Sequence, residues 1–227
     1  MKKIQIEIMA SEGGNDSKLL VVDLMDIYIR SAKNQNFNWR VVEVKDGFAS
    51  IWIEGDSVNK FYANESGAHC FSRIPPTERN GRTQTSIVKV AIMNPEKEAG
   101  YVLNRNDVTK NYIRSSKKAG GQNLNKVSSC VQLIHIPTGI QVKVQDTRDQ
   151  TKNEIIAWER LTQKLKVIED KNDREKIDNK RKDQIGEHGR GNKRRTYRLK
   201  EDIVQDHITG KSCRWKDILK GKIELLF

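Results

Sequence analysis

Long apolar runs and clustered cysteines are both missing from this sequence of 227 residues. No stretch reaches about 18 consecutive apolar residues, the length at which a membrane-spanning helix is predicted. The first residues, up to Glu7, alternate polar and apolar side chains and lack the apolar stretch of a signal peptide. The three cysteines, Cys70, Cys130 and Cys213, lie far apart, which argues against a disulfide framework or a metal cluster of closely spaced ligands. We therefore expect a soluble, cytoplasmic protein that does not associate with membranes.

Familiar catalytic and metal-binding motifs are also absent. The sequence has no Walker lysine loop, no G-x-S-x-G nucleophile elbow and no H-E-x-x-H zinc motif. The four histidines stand singly in the chain, at His69, His135, His188 and His207. Single histidines are more typical of core or surface positions than of metal sites. We therefore expect neither a metal ion nor an organic cofactor.

The sequence does contain enough apolar residues for folded cores, and it carries a one-sided excess of positive charge. Hydrophobic residues make up 36% of the chain, enough for one large domain or two smaller ones. Residues 1–100 contain 13 basic and 13 acidic residues, so the whole net charge of +12 falls after residue 100. A localised basic surface favours a polyanionic partner, with nucleic acid ahead of membrane, although a merely solubilising surface has the same composition.

Periodicity in the first hundred residues predicts a mixed α/β unit. Alternating apolar residues predict strands at 3–9, 39–44, 48–54 and 87–92. A mostly buried helix is predicted at 19–29, after a turn at 13–17 that can supply its N-cap. Between residues 63 and 86 the sequence loses its period and becomes polar, basic and rich in turn residues. We expect a long irregular loop there, and such loops are more often functional than idle.

A polar linker at 94–97 separates this unit from a second one. Alternation there predicts a hairpin of two strands, 131–136 and 140–144. A helix is predicted to follow, because Thr151 and Glu154 have the spacing of a capping box. Its apolar period gives way to charged residues, which predicts a solvated helix end and a flexible return to the final segment.

One local motif stands apart, the triplet Gly120-Gly121-Gln122 in a loop flanked by lysines. Two glycines remove both Cβ atoms and permit positive φ angles, so the backbone can approach another macromolecule closely. Glutamine adds a neutral amide that both donates and accepts hydrogen bonds. Alone, the triplet fits an ordinary turn as well as a functional loop.

From Arg114 to Ile140, and again from Gln145 to Asn153, the sequence closely resembles the catalytic domain of class I peptide chain release factors. Other segments resemble the codon-reading domain and the closing segment of that family: Glu65-Ser66-Gly67-x-His69, Arg73 to Glu78, Gly81-Arg82-x-x-Thr85-Ser86, Arg195-Thr196-Tyr197 and Asp206-His207-Ile208. The segments follow the order of the family and cover nearly the whole chain. Family members usually carry a further helical domain before the strand that begins here at Lys3.

The resemblance implies an α+β fold, in which a codon-reading α/β superdomain carries an inserted catalytic α+β domain with the Gly-Gly-Gln loop. It implies a codon-recognition domain at residues 1–100 and a peptidyl-tRNA hydrolysis domain at 101–183. The C-terminal segment, 184–227, is expected to pack back on the codon-recognition domain. Members of the family read a stop codon with one domain and promote hydrolysis of the peptidyl-tRNA ester with the other.

The resemblance assigns hydrolysis to Gly120, Gly121 and Gln122. Ester hydrolysis needs a positioned water and donors directed at the developing oxyanion, and backbone N–H groups in a glycine loop supply such donors without a titrating side chain. Gln122 is expected to act mainly through its backbone N–H. Its side-chain amide is the expected target of N5-methylation by a glutamine methyltransferase. The activity would then be exerted within the ribosome, without a histidine–carboxylate pair.

Codon reading is assigned by the same resemblance to the irregular loop and to the start of the first helix. Pro75, Pro76 and Thr77 match the Pro-x-Thr tripeptide of the type that reads UAA and UAG. Gln84 stands where the family usually has a stacking histidine, and Asp16 stands where a glutamate usually faces the first uridine. The expected codon-binding residues are Gly13, Asp16, Ser72, Pro75, Pro76, Thr77, Gln84 and Thr85.

Basic residues around the triplet are expected to contact phosphates of ribosomal RNA. These residues are Arg114, Lys117, Lys118, Lys126, Arg148 and Lys152. The implied partners are the ribosome, through 16S and 23S rRNA, the stop codon of the mRNA, and peptidyl-tRNA. The protein is expected to act as a monomer.

Three functions remain open at this point. The first is a stop-codon-dependent translation termination factor, the second is a codon-independent ribosome-rescue hydrolase, and the third is a catalytically silent paralogue that binds ribosomal RNA. Rescue members generally lack the codon-reading domain, whereas this sequence retains the reading loop. The intact Gly-Gly-Gln triplet argues against the third function.

Overall fold

The computed structural model describes residues 2–94, 103–114, 128–185 and 193–227. Contacts along the backbone divide the chain into two compact units. The first unit is formed by Met1–Lys97 with Asp178–Phe227, and the second by Glu98–Ile177. The first unit thus joins the two terminal parts of the sequence, and the second consists of the residues between them.

The described residues form eleven strands, four α-helices and three short 3₁₀ helices. The strands are β1 (Lys2–Ala10), β2 (Asn38–Lys45), β3 (Phe48–Gly55), β4 (Gly67–Arg73), β5 (Gln84–Met93), β6 (Val108–Ile113), β7 (Cys130–His135), β8 (Ile140–Val144), β9 (Lys193–Arg198), β10 (Ile203–Asp206) and β11 (Ser212–Arg214). The α-helices are α1 (Asn15–Asn34), α2 (Val58–Tyr62), α3 (Gln150–Ile185) and α4 (Trp215–Leu219). Short 3₁₀ helices cover Arg105–Asp107, Leu199–Glu201 and Ile223–Leu226. The mixed content agrees with the α+β class implied by the resemblance.

An eight-stranded sheet forms the first unit. Its order is β11-β10-β9-β4-β5-β1-β3-β2. All neighbouring strands are antiparallel except β4 and β9, which run parallel and pair His69 with Arg195 and Phe71 with Tyr197. Strand β9 therefore places the last segment of the chain in the middle of this sheet.

Helix α1 covers one face of the sheet. Its buried side chains recur at helical spacing, so they form a single apolar stripe. Together with alternate residues of the strands they make a common core, which includes Ile4, Ile6, Ile8, Leu20, Val21, Leu24, Ile27, Tyr28, Ile51, Ile53, Val88 and Val90. The helix begins at Asn15, earlier than the predicted span of 19–29, and follows Gly13 and Gly14, which have φ angles of +115° and +58°.

The prediction of an irregular stretch from 63 to 86 is wrong for its first part, which contains strand β4. Both neighbours of β4 are strands, and Ala68, His69, Cys70 and Phe71 are almost completely buried. A strand that is buried on both faces does not alternate between apolar and polar residues, so its sequence lacks the usual signal. The remaining residues, 74–83, form the connection from β4 to β5.

The second unit contains a three-stranded antiparallel sheet in the order β6-β7-β8, together with the first part of α3. The predicted hairpin is present as β7 and β8. Its core is formed by apolar side chains of the sheet and one stripe of the helix: Val131, Leu133, Val142, Val144, Ala157, Leu161 and Leu165. This small core fixes the sheet against the start of α3.

The predicted capping box at Thr151 and Glu154 is wrong. Helix α3 begins at Gln150, and the carboxylate of Asp149 accepts the backbone N–H of Thr151 at 2.9 Å. Glu154 instead accepts hydrogen bonds from Lys110 Nζ at 2.6 Å and from the hydroxyl of Tyr112 at 3.0 Å. The hydrogen bond from Lys110 lowers the pKa of Glu154 below its usual value. An aspartate just before the helix therefore caps it, and Glu154 ties the helix to β6.

The end of α3 was predicted to be solvated, and the structure corrects this expectation. Within the first unit, Arg181 donates to both carboxylate oxygens of Glu7 on β1, at 2.6 and 2.8 Å. Gln184 bonds the backbone N–H and carbonyl of Ile92, both at 2.7 Å. The helix end is therefore attached to the sheet. No helix in the described part of the chain combines the length and the apolar composition needed to span a bilayer.

Candidate functional site

The connection 74–83 leaves the sheet at the end of β4 and returns at the start of β5. Arg73 and Gln84 are the last paired residues of these strands, so both ends of the loop are fixed side by side. Inside the loop, the N–H of Glu78 donates to the carbonyl of Pro75 at 3.0 Å and closes a turn. Pro75 is buried, whereas Pro76 and Thr77 are exposed. The turn therefore presents Thr77 at the surface.

Asp16 connects the start of α1 to both strands at the base of this loop. One carboxylate oxygen accepts Arg73 Nε at 2.9 Å and Nη2 at 2.7 Å, and the other accepts the hydroxyl of Ser86 at 2.7 Å. Arg73 also donates to Asp23 at 3.1 Å. Asp16 is only 2% exposed. In this arrangement the carboxylate holds the base of the loop, and the contact with the first codon base expected of Asp16 stays a prediction.

Gly13 lies against the start of β5. A Cβ atom on Gly13 would stand 2.3 Å from the hydroxyl oxygen of Ser86, and the φ angle of +115° is itself unfavourable for other residues. The neighbouring backbone is bonded to the same strand, since Ile87 N–H donates to the carbonyl of Glu12 at 2.7 Å. The helix start predicted to read the first base is therefore held against the start of β5, where the connection 74–83 ends.

The structure brings the predicted codon-reading residues to one end of the sheet but divides them between its two faces. Ser72 and Thr85 are directly opposed in the β4–β5 ladder, so their side chains share one face. Arg73 and Gln84 form the next pair and point to the other face, on which Asp16 lies. The codon-binding assignments themselves stay predictions.

Glu78 is a loop residue that the sequence analysis did not select. Its carboxylate accepts the backbone N–H of Asn80 at 2.9 Å and Gln84 Nε2 at 2.5 Å. The side chain therefore links the turn at Pro75 to the first residue of β5. In the sequence, Glu78 is only a carboxylate six residues before the amide of Gln84. This spacing does not predict a contact unless the fold is known.

In the second unit, the Gly-Gly-Gln triplet lies outside the described residues, so the catalytic roles stay predictions. The predicted catalytic and RNA-binding residues outside the described part are Gly120, Gly121, Gln122, Lys117, Lys118 and Lys126. The two ends of their segment are described: Ile113 on β6 is paired with Cys130 on β7. The segment 114–129 therefore leaves and re-enters the three-stranded sheet at the same end.

Asn153 fixes the C-terminal end of this segment, at Ser129. Its Nδ2 donates to the carbonyls of Ser129 and Thr147, both at 2.8 Å, and its Oδ1 accepts the N–H of Thr147 at 2.9 Å and the hydroxyl of the same residue at 3.0 Å. The side chain is completely buried. Every hydrogen-bonding group of the amide is thus used to fix Ser129 to the residues before α3.

Three of the predicted RNA-binding residues are described and exposed. Arg114 follows the last residue of β6, Arg148 follows Thr147, and Lys152 lies in the first turn of α3. The pairing of Ile113 and the contacts of Asn153 place these positions at the end of the sheet from which the 114–129 segment leaves. A group of cations at that end can contact several phosphates of one nucleic acid.

Several residues that carry the resemblance form a buried ionic cluster in the first unit. Arg195 donates from both Nη atoms to the carboxylate of Glu65, at 2.5 and 2.6 Å, and from Nε to Asp206 at 3.0 Å. His69 bonds the hydroxyl of Tyr197 and the carbonyl of Glu65, both at 2.9 Å. Burial and the nearby charge of Arg195 lower the pKa of His69 to about 3. These residues therefore act in the core, and His69 stays neutral there at physiological pH.

Comparison with known proteins gives matches along nearly the whole chain. The PCRF domain matches residues 1–90 and the RF-1 domain matches residues 96–208. Peptide chain release factor 1 of a Hydrogenobaculum species is 34% identical, over 98% of this chain and 64% of that protein. The protein of the same name from Lactobacillus delbrueckii subsp. bulgaricus is 36% identical, over 98% of this chain and 63% of its own length. The chain thus spans less than two thirds of these relatives.

A solved structure agrees with this result. RF2 of Thermus thermophilus is similar with a TM-score of 0.56 and 28% sequence identity, over 98% of this chain and 65% of that one. The eight-stranded sheet, the inserted three-stranded sheet and the order of the matched domains therefore have a common explanation. The chain belongs to the class I peptide chain release factor family.

Proposed function

We propose that this protein is a translation termination factor, which recognises a stop codon in the ribosomal A site and promotes hydrolysis of the peptidyl-tRNA ester. The observation that supports it most is the braced loop at 74–83, whose base is fixed by Asp16 and whose exposed turn carries Thr77. Proteins that read single-stranded RNA recognise unstacked bases by hydrogen bonds to their Watson–Crick and Hoogsteen edges. Hydroxyl and amide groups at Thr77, Gln84 and Thr85 are chemically suited to purine edges.

The second unit is proposed to perform hydrolysis. Gly120, Gly121 and Gln122 would supply backbone donors for the oxyanion, and Arg114, Arg148 and Lys152 would contact phosphates of 23S rRNA. The exposure of these three cations and the fixed ends of the 114–129 segment support this role. The reading loop would lie near 16S rRNA and the mRNA. The protein would act in the cytoplasm as a monomer, with Gln122 methylated by a glutamine methyltransferase.

The proposal is tested by peptidyl-tRNA hydrolysis on ribosomes programmed with each stop codon, with a sense codon, or with no codon in the A site. Release is expected on one or more stop codons and not on the sense codon or the empty site. Equal release in all cases would assign the protein to codon-independent rescue. Ribosome binding without any release would identify a silent paralogue.

Thr77 gives a prediction for the reading loop. The change Thr77→Val keeps the shape of the side chain but removes its hydroxyl, so a polar group of the codon is left unpaired. Release on the preferred codon should lose about 1–3 kcal/mol of transition-state free energy, the usual cost of an unpaired polar group. The measurement is kcat/KM for release on that codon. An unchanged kcat/KM would mean that Thr77 does not contact the codon.

Asn153 gives a prediction for the second unit. The change Asn153→Ala removes all four hydrogen bonds that fix Ser129 and Thr147. The C-terminal end of the 114–129 segment is then no longer fixed to the residues before α3. Hydrolysis should slow by about tenfold or more, because small displacements of a positioned group are costly in rate. The rate is measured at saturating protein on stop-codon ribosomes. Asn111→Ala, at an exposed position of β6, is the matched control and should keep the normal rate.

A further inference from the structure

The contact between Glu78 and Gln84 fixes the orientation of an exposed amide at the first residue of β5, next to the loop at 74–83. A carboxylate can only accept hydrogen bonds, so the Gln84 group at 2.5 Å from Glu78 must be its NH₂ group. The other carboxylate oxygen of Glu78 is held by the backbone N–H of Asn80. Gln84 therefore cannot exchange its carbonyl and amino groups by rotation without breaking this bond, and its Oε1 and second N–H are left for another partner.

Purines differ in the group that such an amide meets. Adenine carries an amino donor at position 6, whereas guanine carries a carbonyl acceptor there. A glutamine that rotates freely can satisfy both, because it can present either its carbonyl or its amino group. A glutamine held by its amino group presents its carbonyl to position 6, where it accepts the adenine amino group but meets a second acceptor in guanine. The remaining N–H of the amide is left for the ring nitrogen N7, an acceptor that both purines share and that does not distinguish them. The fixed amide is thus complementary to adenine.

We propose that Glu78 is a specificity-determining residue, which orients Gln84 so that the loop selects adenine over guanine at the codon position that Gln84 contacts. The inference rests on the proposed stop-codon reading and adds the preferred base. Glu78 itself contacts no base in this mechanism, since its two oxygens bond Asn80 and Gln84. Gln84 supplies the base contact, and the turn closed between Pro75 and Glu78 keeps the carboxylate in place.

The variant Glu78→Gln tests the inference. The new amide can donate to Gln84 Oε1 while it still accepts the N–H of Asn80, so Gln84 is free to turn its amino group outward. Release is measured as kcat/KM on ribosomes programmed with UAA, UAG and UGA. In the unmodified protein, kcat/KM on UAA should exceed kcat/KM on the codon, UAG or UGA, that has guanine at the position contacted by Gln84. The ratio of these two values should fall by about tenfold in the variant, which is the discrimination that one good base contact provides.

Two further variants make the result specific. Glu54→Gln causes the same change of charge at the far end of the sheet, where Glu54 is opposed to Lys3, and should leave the ratio unchanged. Gln84→Met removes the amide and should lose the adenine preference by itself. In the Gln84→Met background, Glu78→Gln should have no further effect on the ratio, because both act through one contact.

The outcomes separate this inference from the proposed function. Stop-specific release with an unchanged ratio in Glu78→Gln, or with an unchanged ratio in Gln84→Met, overturns the role of Glu78 alone. A full effect of Glu78→Gln in the Gln84→Met background also overturns it. Equal release by the unmodified protein on stop and sense codons overturns the proposed function, and the inference with it. Thermal unfolding of each variant establishes that the compared proteins are folded.

Discussion

Gly121→Ala is expected to slow peptidyl-tRNA hydrolysis by about a hundredfold or more, the scale for losing a contact of the oxyanion type. The side chain of alanine restricts the backbone conformations that glycine permits, so the donor that we propose at Gln122 would be displaced from the developing oxyanion. Ribosome binding should persist, because the cationic residues that we propose to contact rRNA are unchanged. Single-turnover hydrolysis and a ribosome-binding assay on the same preparation measure the two effects separately.

A second glycine provides the control for this experiment. Gly139 lies in the β7–β8 turn with a φ angle of +68°, and a Cβ there would meet no atom within 4 Å. Gly139→Ala should cost about 1–2 kcal/mol of stability through backbone strain while hydrolysis stays normal. Normal hydrolysis by Gly121→Ala would refute the catalytic assignment of the triplet. Loss of ribosome binding by Gly121→Ala would instead give the triplet a structural role.

Arg195→Met is expected to lower the free energy of unfolding of the first unit by about 3–5 kcal/mol, the usual effect of removing one partner from a buried ion pair. The change leaves Glu65 and Asp206, both completely buried, without the guanidinium that they share. Chemical denaturation followed by tryptophan fluorescence reports this loss, because the ring of Trp215 in the first unit lies 5.7 Å from that of Tyr197, which stands two residues after Arg195 on β9.

An exposed arginine on the same strand is the matched control. Arg198 pairs with Glu201 at 3.5 Å, and about half of each side chain is exposed. Arg198→Met should change the stability by no more than about 1 kcal/mol, as is usual for surface ion pairs. The double variant Arg195→Met with Glu65→Gln should recover part of the loss, because it also removes a buried charge. An equal loss in both single arginine variants would show that the burial of the cluster has no energetic consequence.

Strands of the first unit were predictable where apolar and polar residues alternate in the sequence. In β1, Ile4, Ile6 and Ile8 alternate with polar residues, and in β3 Ile51 and Ile53 follow the same period of two, which is readable in the sequence. β4 is central and buried on both faces, and it uses small and polar residues such as Ala68, His69 and Cys70. The burial of His69 depends on hydrogen bonds to Tyr197 and Glu65, which only the folded chain brings together.

The sequence predicted which segments form the candidate site, but it did not predict the hydrogen bonds between them. The resemblance assigned codon reading to both the loop and the start of α1, and this assignment stays a prediction. It could not show that Asp16 is turned toward Arg73 and Ser86, because that depends on how the helix start meets two strand ends. Glu78 and Asn153 were missed for the same reason, since each lies in a segment that carries the resemblance but acts through hydrogen bonds that only the folded chain shows.

The parallel pairing of β4 with β9 has a consequence for synthesis of the chain. His69 and Tyr197, which bond across these strands, are 128 residues apart in sequence. During translation the β4 edge therefore stays unpaired until β9 has been made, while the residues of the second unit emerge in between. Unpaired central edges are templates for wrong pairing, and contacts between distant residues form slowly. A nascent chain that stalls before residue 193 would present this edge to other chains, so the first unit folds only near the end of its own translation.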